Sequence, residues 1–390
     1  MPQPRAVVVG AGVGGLTAAV ALWRRRWRVT VLERARVLEP VGAGIAVAPN
    51  AQRALDVLGL GDAVRARAAF SGSGGLRTPR GRWISRTTGE AAAARFGGPV
   101  VLTRRAELVD LLLGALPEGT VRTGTTVTHV EPGAAGGAPA RVTSERGTVE
   151  AELVVAADGV HSPTRAALFP DHPGPDYAGL TAWRFVADAP ATGYEPHETW
   201  GRGTLWGTTP LAGSRVYCYA TAVVPPGGRA PDDELAELRR RFGDWHAPVP
   251  QLLDAVAADA VLRDDVHDMP TPLPAFHRGR VALLGDAAHP MTPNLGQGGC
   301  QAVEDAVVLA HLATAEGELA AYTERRLPRT TLVARRSRRV AALTAWRSRP
   351  AVAARALMFA ATGLLGPAAA LRALDGIADW RPPGAYQRTG

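Results

Sequence analysis

"RAVVVGAGVGGLTAAVALWRRRWRVTVLE", residues 5–33, decides the fold. An apolar run, Ala6 to Val9, enters a glycine turn, an alanine-rich stretch of helical character follows, and "RVTVLE" closes the unit as a second strand, which together make a βαβ opening. The glycines fall as Gly10-x-Gly12-x-x-Gly15, with Gly14 beside them. Gly10 permits the tight turn, Gly12 lets backbone approach a pyrophosphate with no Cβ in the way, and Gly15 allows the helix to sit close to its strand. The helix start then offers free N–H groups and a positive dipole end to phosphate. Glu33, followed by Arg34, ends the second strand, where a carboxylate can accept from both ribose hydroxyls and repel a 2′-phosphate. Strand, glycines, helix, strand and terminal Glu in register predict an unphosphorylated adenosine dinucleotide, NAD or FAD; a lone glycine pattern would not.

A second device of the same kind lies 250 residues on, in "VALLGDAAHPMTPNLGQGGCQAVEDAVVLA", residues 281–310. It reads as an apolar strand ending in Gly285-Asp286, a loop carrying Gly296, Gly298 and Gly299, and a helix beginning near Gln301. NAD leaves such a loop nothing to do, whereas FAD has a far end to be held. Asp286 can bond a ribityl hydroxyl or simply cap a helix. Backbone N–H groups from Gly296 to Cys300 can reach the pyrophosphate and the flavin pyrimidine edge, where donors stabilise the reduced ring.

Between the two devices the pattern shifts. Residues 41–69 read as a glycine loop and a helix, 72–98 as an excursion of short strands, and 102–116 as helix. Residues 176–224 set Trp183, Phe185, Trp200, Trp206, Tyr217 and Tyr219 among alternating polar residues, the mark of an antiparallel sheet with one buried face. Helical stretches follow at 232–241 and 252–260, and the chain is largely helical after Ala302. The expected fold is α/β: a Rossmann-like nucleotide-binding domain in three pieces (1–72, 98–174 and 269–345), a substrate domain made of the 73–97 excursion and the 175–268 sheet, and a C-terminal helical segment, 346–390.

Composition narrows the function. Hydrophobic residues make up 46% and charged residues 21%, an ordinary globular balance. Cys218 and Cys300 are the only cysteines, which excludes a disulfide framework or a cysteine-based metal centre and fits a reducing cytoplasm. No export leader precedes the first strand, and the longest uncharged apolar run, the 16 residues from Ala356 to Leu371, is broken by Gly366-Pro367, so no membrane span is expected. All 44 basic residues are arginine; without lysine there is no Walker A lysine, pyridoxal Schiff base or catalytic lysine. Nine arginines against Glu324 between Ala320 and Arg349 read as a solvated helix face or an anion-attracting patch. No nucleic-acid motif accompanies them.

Three motifs in this order, Gly10 to Gly15 with Glu33, "AADGVHSPTR" at 156–165, and "GDAAHPMTPNLGQGG" at 285–299, resemble the single-component FAD-dependent aromatic monooxygenases of the para-hydroxybenzoate hydroxylase fold, over nearly the whole chain. Size and motifs are closest to the salicylate-hydroxylase-like members. The resemblance implies that Asp158-Gly159 supports the cofactor region and Arg165 closes it. It implies that Arg105 of "TRRAEL" contacts FAD, that the Val127 backbone meets the adenine, and that Ala46 lies in a mobile-flavin loop. Arg105 as a surface cation and Val127 as plain core are the ordinary alternatives.

The resemblance also implies the reaction: NADH or NADPH reduces the flavin, O2 adds at C(4a), and the C4a-hydroperoxide passes oxygen to an aromatic or polyketide-like small molecule, hydroxylating or epoxidising it. Pro293 should lie beside the reacting edge. Arg184, Tyr217 and His289 are candidates to orient or deprotonate a phenol, with His289 also readable as a structural or flavin-side residue. Asn294 stands where relatives that hydroxylate urate carry an acid, which argues against that activity. The competing readings are a reductase or saturase of related fold acting on an isoprenoid chain without oxygen, and a non-catalytic flavin-bound module; a flavin halogenase would need a lysine. A monomer or homodimer is expected.

Overall fold

The computed structural model describes residues 3–38, 44–68, 74–364, 366 and 371–383, with the backbone alone at 373. Residues 41–43 of the expected glycine loop "VGAGIAVAPN" therefore lie outside the described residues.

Six strands form a mainly parallel sheet, in the spatial order His277–Arg278, Val281–Leu283, Leu153–Ala156, Arg5–Val9, Arg28–Leu32, Val121–Arg122. All neighbours run parallel except the edge strand 277–278. The central strands are continuous apolar runs because both faces are covered: Val7, Val8, Val154, Val155 and Val281 have no exposed surface. Two helices pack on this layer side by side, Val13–Arg24 and Gly298–Leu312. The second begins at Gly298 rather than near Gln301, because the glycines that loosen its first turn are themselves helical.

A seven-stranded sheet stands apart from it, in the order Leu262–Asp268, Asp176–Asp188, Arg215–Ala222, Thr204–Leu211, His197–Trp200, Gly74–Arg77, Trp83–Thr87. Its pairs are antiparallel except where strand 197–200 meets strand 74–77, so the excursion near residue 80 supplies one edge of this sheet. Period-2 alternation sorts its side chains onto two faces. Trp183, Phe185, Trp206 and Cys218 lie under the helices Glu234–Phe242 and Val249–Asp254 in a core of their own. On the opposite face Tyr217, Leu211, Val186 and Tyr219 pack against Leu102 and Ala46 of the two-stranded sheet formed by Gly44–Val47 and Val101–Arg104. The expected helix at 252–260 is placed earlier, at Val249–Asp254, with a short 3-10 turn at Ala258–Ala260.

The helix Ala320–Thr344 buries Tyr322, Arg326, Thr330, Val333, Ser337, Ala341 and Thr344, a single stripe at spacings of three and four. The arginine run is thus not wholly a solvated face. Arg326, 1% exposed, lies inside, and Arg329 and Arg338 reach Glu304 and Asp268. Among the described residues no helix is long and apolar enough to cross a membrane.

Candidate active site

The site begins where the opening strand turns. Gly10 has φ of 101°, and a Cβ on it would overlap the Ala157 carbonyl oxygen, so no other residue fits this turn without displacing the neighbouring strand end. A Cβ on Gly15 would overlap the Gly10 carbonyl, and one on Gly14 would press on Leu284 and Ala302; both serve close packing, against the turn and against the 298–312 helix. Gly12 differs. Its Cβ direction is open, with only an Arg105 guanidinium nitrogen at 3.8 Å.

Glu33 accepts from Ala11 N at 2.7 Å and from Ala35 N at 2.8 Å, which ties the end of the second strand to the glycine turn. Arg34 beside it is exposed. Thr125 N donates to the Glu33 carbonyl, so Val127, half-buried at the start of its strand, lies two residues from this corner. Asp158 accepts from Ser162 Oγ at 2.6 Å and from Thr164 N, and so sets the start of the helix Pro163–Leu168. Arg165 bonds the carbonyls of Val160, Asp286 and Ala287, stapling the second motif to the third. Its burial lowers the guanidinium pKa, against the pull of Asp158 and Asp286.

The second device faces the first. Asp286 is walled by protein yet reached by solvent, and among the described residues its carboxylate has no hydrogen-bond partner. Burial pushes that carboxyl up, against the attraction of His289, Arg105 and Arg165. The Cβ direction of Gly298 comes 3.9 Å from Asp286 Oδ1, and that of Gly296 comes 3.5 Å from the Ala46 methyl. Ile45 closes on Gly299, and Cys300 Sγ bonds the backbone of Ala46 and Ala48, which holds strand Gly44–Val47 to the glycine loop. Pro293 opens the short turn Pro293–Leu295 and is exposed.

Two helix N-termini without side-chain caps therefore face Asp286 and Arg105, which among the described residues have no side-chain hydrogen-bond partner. That donor and acceptor set fits an extended dinucleotide with a pyrophosphate in its middle.

The aromatic face of the second sheet covers the far end. Tyr217 lies flat on Gly44, where a Cβ would come 2.6 Å from its ring, and its ring centre is 5.6 Å from that of Tyr219. Burial pushes the Tyr217 hydroxyl up to about 12, with Arg184 pulling the other way. Arg184 is ion-paired with Asp264, and among the described residues its buried Nε has no partner. His289 is turned into the core: Nε2 meets Asp305 Oδ2 at 2.6 Å, and Phe276 stacks near its ring. The structure thus brings Arg184, Tyr217 and Ala46 to one face, leaves Pro293 exposed three residues before the Gly296 that meets Ala46, and turns His289 into the core.

Two groups escaped the sequence reading. Arg326, Glu304 and Asp305 form a buried ion cluster, with Arg326 Nε 2.6 Å from Asp305 and Nη1 2.6 Å from Glu304. The cluster reaches Gly285 N through Asp305 and Asn50 through Glu304, and so fixes the strand end that carries Asp286. Opposing burial, His289 and Arg326 hold the Asp305 carboxyl at about 2. The other group is Glu198, which accepts from Tyr219 OH and Trp200 Nε1 on the sheet face above the groove.

Residues 4–337 match the family model described as FAD binding domain. The chain belongs to that family and is an FAD-dependent monooxygenase. It is 40% identical over 321 residues, 82% of this chain and 83% of the relative, to the aurachin C monooxygenase/isomerase of Stigmatella aurantiaca. It is 38% identical over 360 residues, 86% of each, to the 3-amino-4-hydroxybenzoate 2-monooxygenase of Streptomyces cremeus. The crystal structure of HpxO from Klebsiella pneumoniae with FAD and uric acid superposes with a TM-score of 0.84 at 29% identity, covering 96% of both chains.

Proposed function

We propose that the protein draws electrons from NADH or NADPH and, with O2, hydroxylates or epoxidises an electron-rich aromatic or polyketide-like small molecule held between Pro293 and the aromatic sheet face. The carrying observation is the wall that Tyr217 and Tyr219 build over strand 44–47, polar at its edges through Arg184 and Glu198. A flat ring with one polar substituent is the shape such a wall accepts. The relatives named for aurachin C and for 3-amino-4-hydroxybenzoate support the same class.

FAD, when bound, supplies the two-electron and oxygen chemistry. The chain supplies the rest. Gly12, Arg105, Asp286 and the amides at Gly298 and Gly299 hold the pyrophosphate and ribityl region, with Gly10, Gly14 and Gly15 shaping the turn, while Glu33, Arg34 and Val127 bracket the adenosine. Ala46, Gly296 and Pro293 border the ring, and Asp158 with Arg165 braces the loop that carries them. Leu102, Leu211 and Val186 keep water from the reacting end. The two cysteines, both buried and unpaired, support a reducing, cytoplasmic setting.

The test is direct. The purified protein should be yellow, and a phenol panel should stimulate NAD(P)H consumption that requires O2 and yields a product with one added oxygen atom. Turnover independent of O2 would point instead to a reductase, and a colourless protein that takes up no FAD would refute the reading.

A further inference from the structure

Glu198 lies in the short strand His197–Trp200, opposite Gly207, which lies opposite Tyr219, which lies opposite Arg184. The four residues form one cross-strand row on the face turned to strand 44–47. Gly207 is what lets the row work. A Cβ there would sit inside the Tyr219 ring, so the ring lies flat over the glycine and its hydroxyl reaches Glu198 Oε1 at 2.6 Å. Trp200 Nε1 holds Oε2 at 2.9 Å.

Both donors are neutral. The charges packed nearby are spent elsewhere: Arg184 on Asp264, Arg77 and Arg86 on Glu195, and Arg355, 5.4 Å above the Trp200 ring, on the carbonyls of Leu343 and Gly201. His197 and its neighbour His246 belong to the other side of the strand, with His246 bonded to Thr199. Among the described residues Glu198 is thus a partly exposed carboxylate without a cation, fixed by one donor on each oxygen and with a lone pair left on each. His289 is committed to Asp305, and Tyr217, its hydroxyl pushed up to about 12 by burial, keeps its own proton near neutrality, so Glu198 is the acceptor this face presents.

We propose that Glu198 is the general base of the reaction, taking the proton of a hydroxyl group on the aromatic substrate. The substrate O–H bond breaks, the proton passes to a Glu198 oxygen, and the electron pair stays on the substrate oxygen. There it enriches the ring carbons beside and opposite it, the positions an electrophilic oxygen attacks. Tyr219 and Trp200 are positioning residues that aim the carboxylate. Burial raises the Glu198 pKa, opposed by these two donors, which brings the base toward the range where it works near neutrality. The inference rests on the reading that a hydroxyaromatic substrate is oxygenated in this groove.

The test uses the FAD-loaded full-length protein, with Glu198→Gln and Tyr219→Phe, and as probes salicylate, 4-hydroxybenzoate, 3-amino-4-hydroxybenzoate and their O-methyl ethers. Equilibrium binding, followed by the flavin absorbance change, should favour a free phenol over its ether in the wild type. Glu198→Gln should reduce that preference on the order of tenfold, and an unchanged preference overturns the proposal. With an oxygenated probe, kcat/KM against pH should show an acid limb that Glu198→Gln lacks, with product formation at neutral pH down by roughly 10²–10⁴-fold. Tyr219→Phe removes a donor to the carboxylate and should move the limb to higher pH. A limb that persists in Glu198→Gln, or does not move in Tyr219→Phe, overturns the proposal even if one variant folds poorly. If no probe is oxygenated, the proposed reaction fails while the binding preference still decides the role of Glu198.

Discussion

Replacing Arg326 by leucine tests how the C-terminal helix supports the groove. Arg326 donates to Asp305 Oδ1, to Glu304 Oε2 and, through Nη2, to Gln301 Oε1 at 2.9 Å, all without solvent. Removing one partner from a buried ion cluster costs about 3–5 kcal/mol, because the remaining charge is left uncompensated. Here the lower end applies. Glu304 keeps Arg329, with contacts of 2.6 and 2.7 Å, and Asp305 keeps His289 and the Gly285 amide. The expected loss is about 3 kcal/mol. Urea unfolding of the FAD-saturated protein at neutral pH should show a lower midpoint at unchanged slope. FAD affinity should also fall, since Asp305 fixes the strand end that carries Asp286. Adding Asp305→Asn should recover part of the loss, the two sites sharing one network. A cost below about 1 kcal/mol, the scale of a single neutral hydrogen bond, would refute the cluster's structural role.

Three further outcomes follow from the geometry. Asp286→Ala should weaken FAD by roughly 10- to 100-fold, the equivalent of about 1.5–3 kcal/mol for hydrogen bonds to a charged group, read from recovery of flavin fluorescence on dilution. Gly207→Ala should cost about 1–3 kcal/mol by overpacking Tyr219 and should depress product formation more than FAD binding, measured by denaturation, flavin content and product yield together. His197, depressed to about 4 by burial with His246 and Arg77 adding to it, makes stability fall as pH drops from about 6.5 toward 4. The unfolded chain takes up the proton in that window and the folded one does not. His197→Gln should flatten this slope in urea midpoints measured across the range.

The parts of the fold legible in the sequence are those where backbone and burial leave little choice. Residues 6–9 and strands 153–156 and 281–283 are apolar throughout because both faces are covered, and Gly10 and Gly15 stand where a Cβ would strike a carbonyl. The helix 320–344 was legible as a helix but not in its inward stripe. Tyr322, Arg326, Thr330 and Ser337 carry the buried positions, so hydropathy gives no period, and an arginine satisfied by two carboxylates looks the same in sequence as one in water. Glu198 was hidden for a related reason. In "HETW" it alternates with buried Thr199 as a solvent-facing residue would, and only the cross-strand glycine at 207 reveals what lies over it. Cys300 is buried against the backbone of strand 44–47, a packing role that agrees with its place in the motif.

The most direct measurement is a crystal structure of the protein with FAD. The account predicts one extended molecule with its adenosine beside Glu33, its pyrophosphate between Gly12 and Gly298, and its ring bordered by Ala46 and Pro293 beneath Tyr217. A ring bound away from residues 285–299, or a different ligand filling that loop, would contradict it.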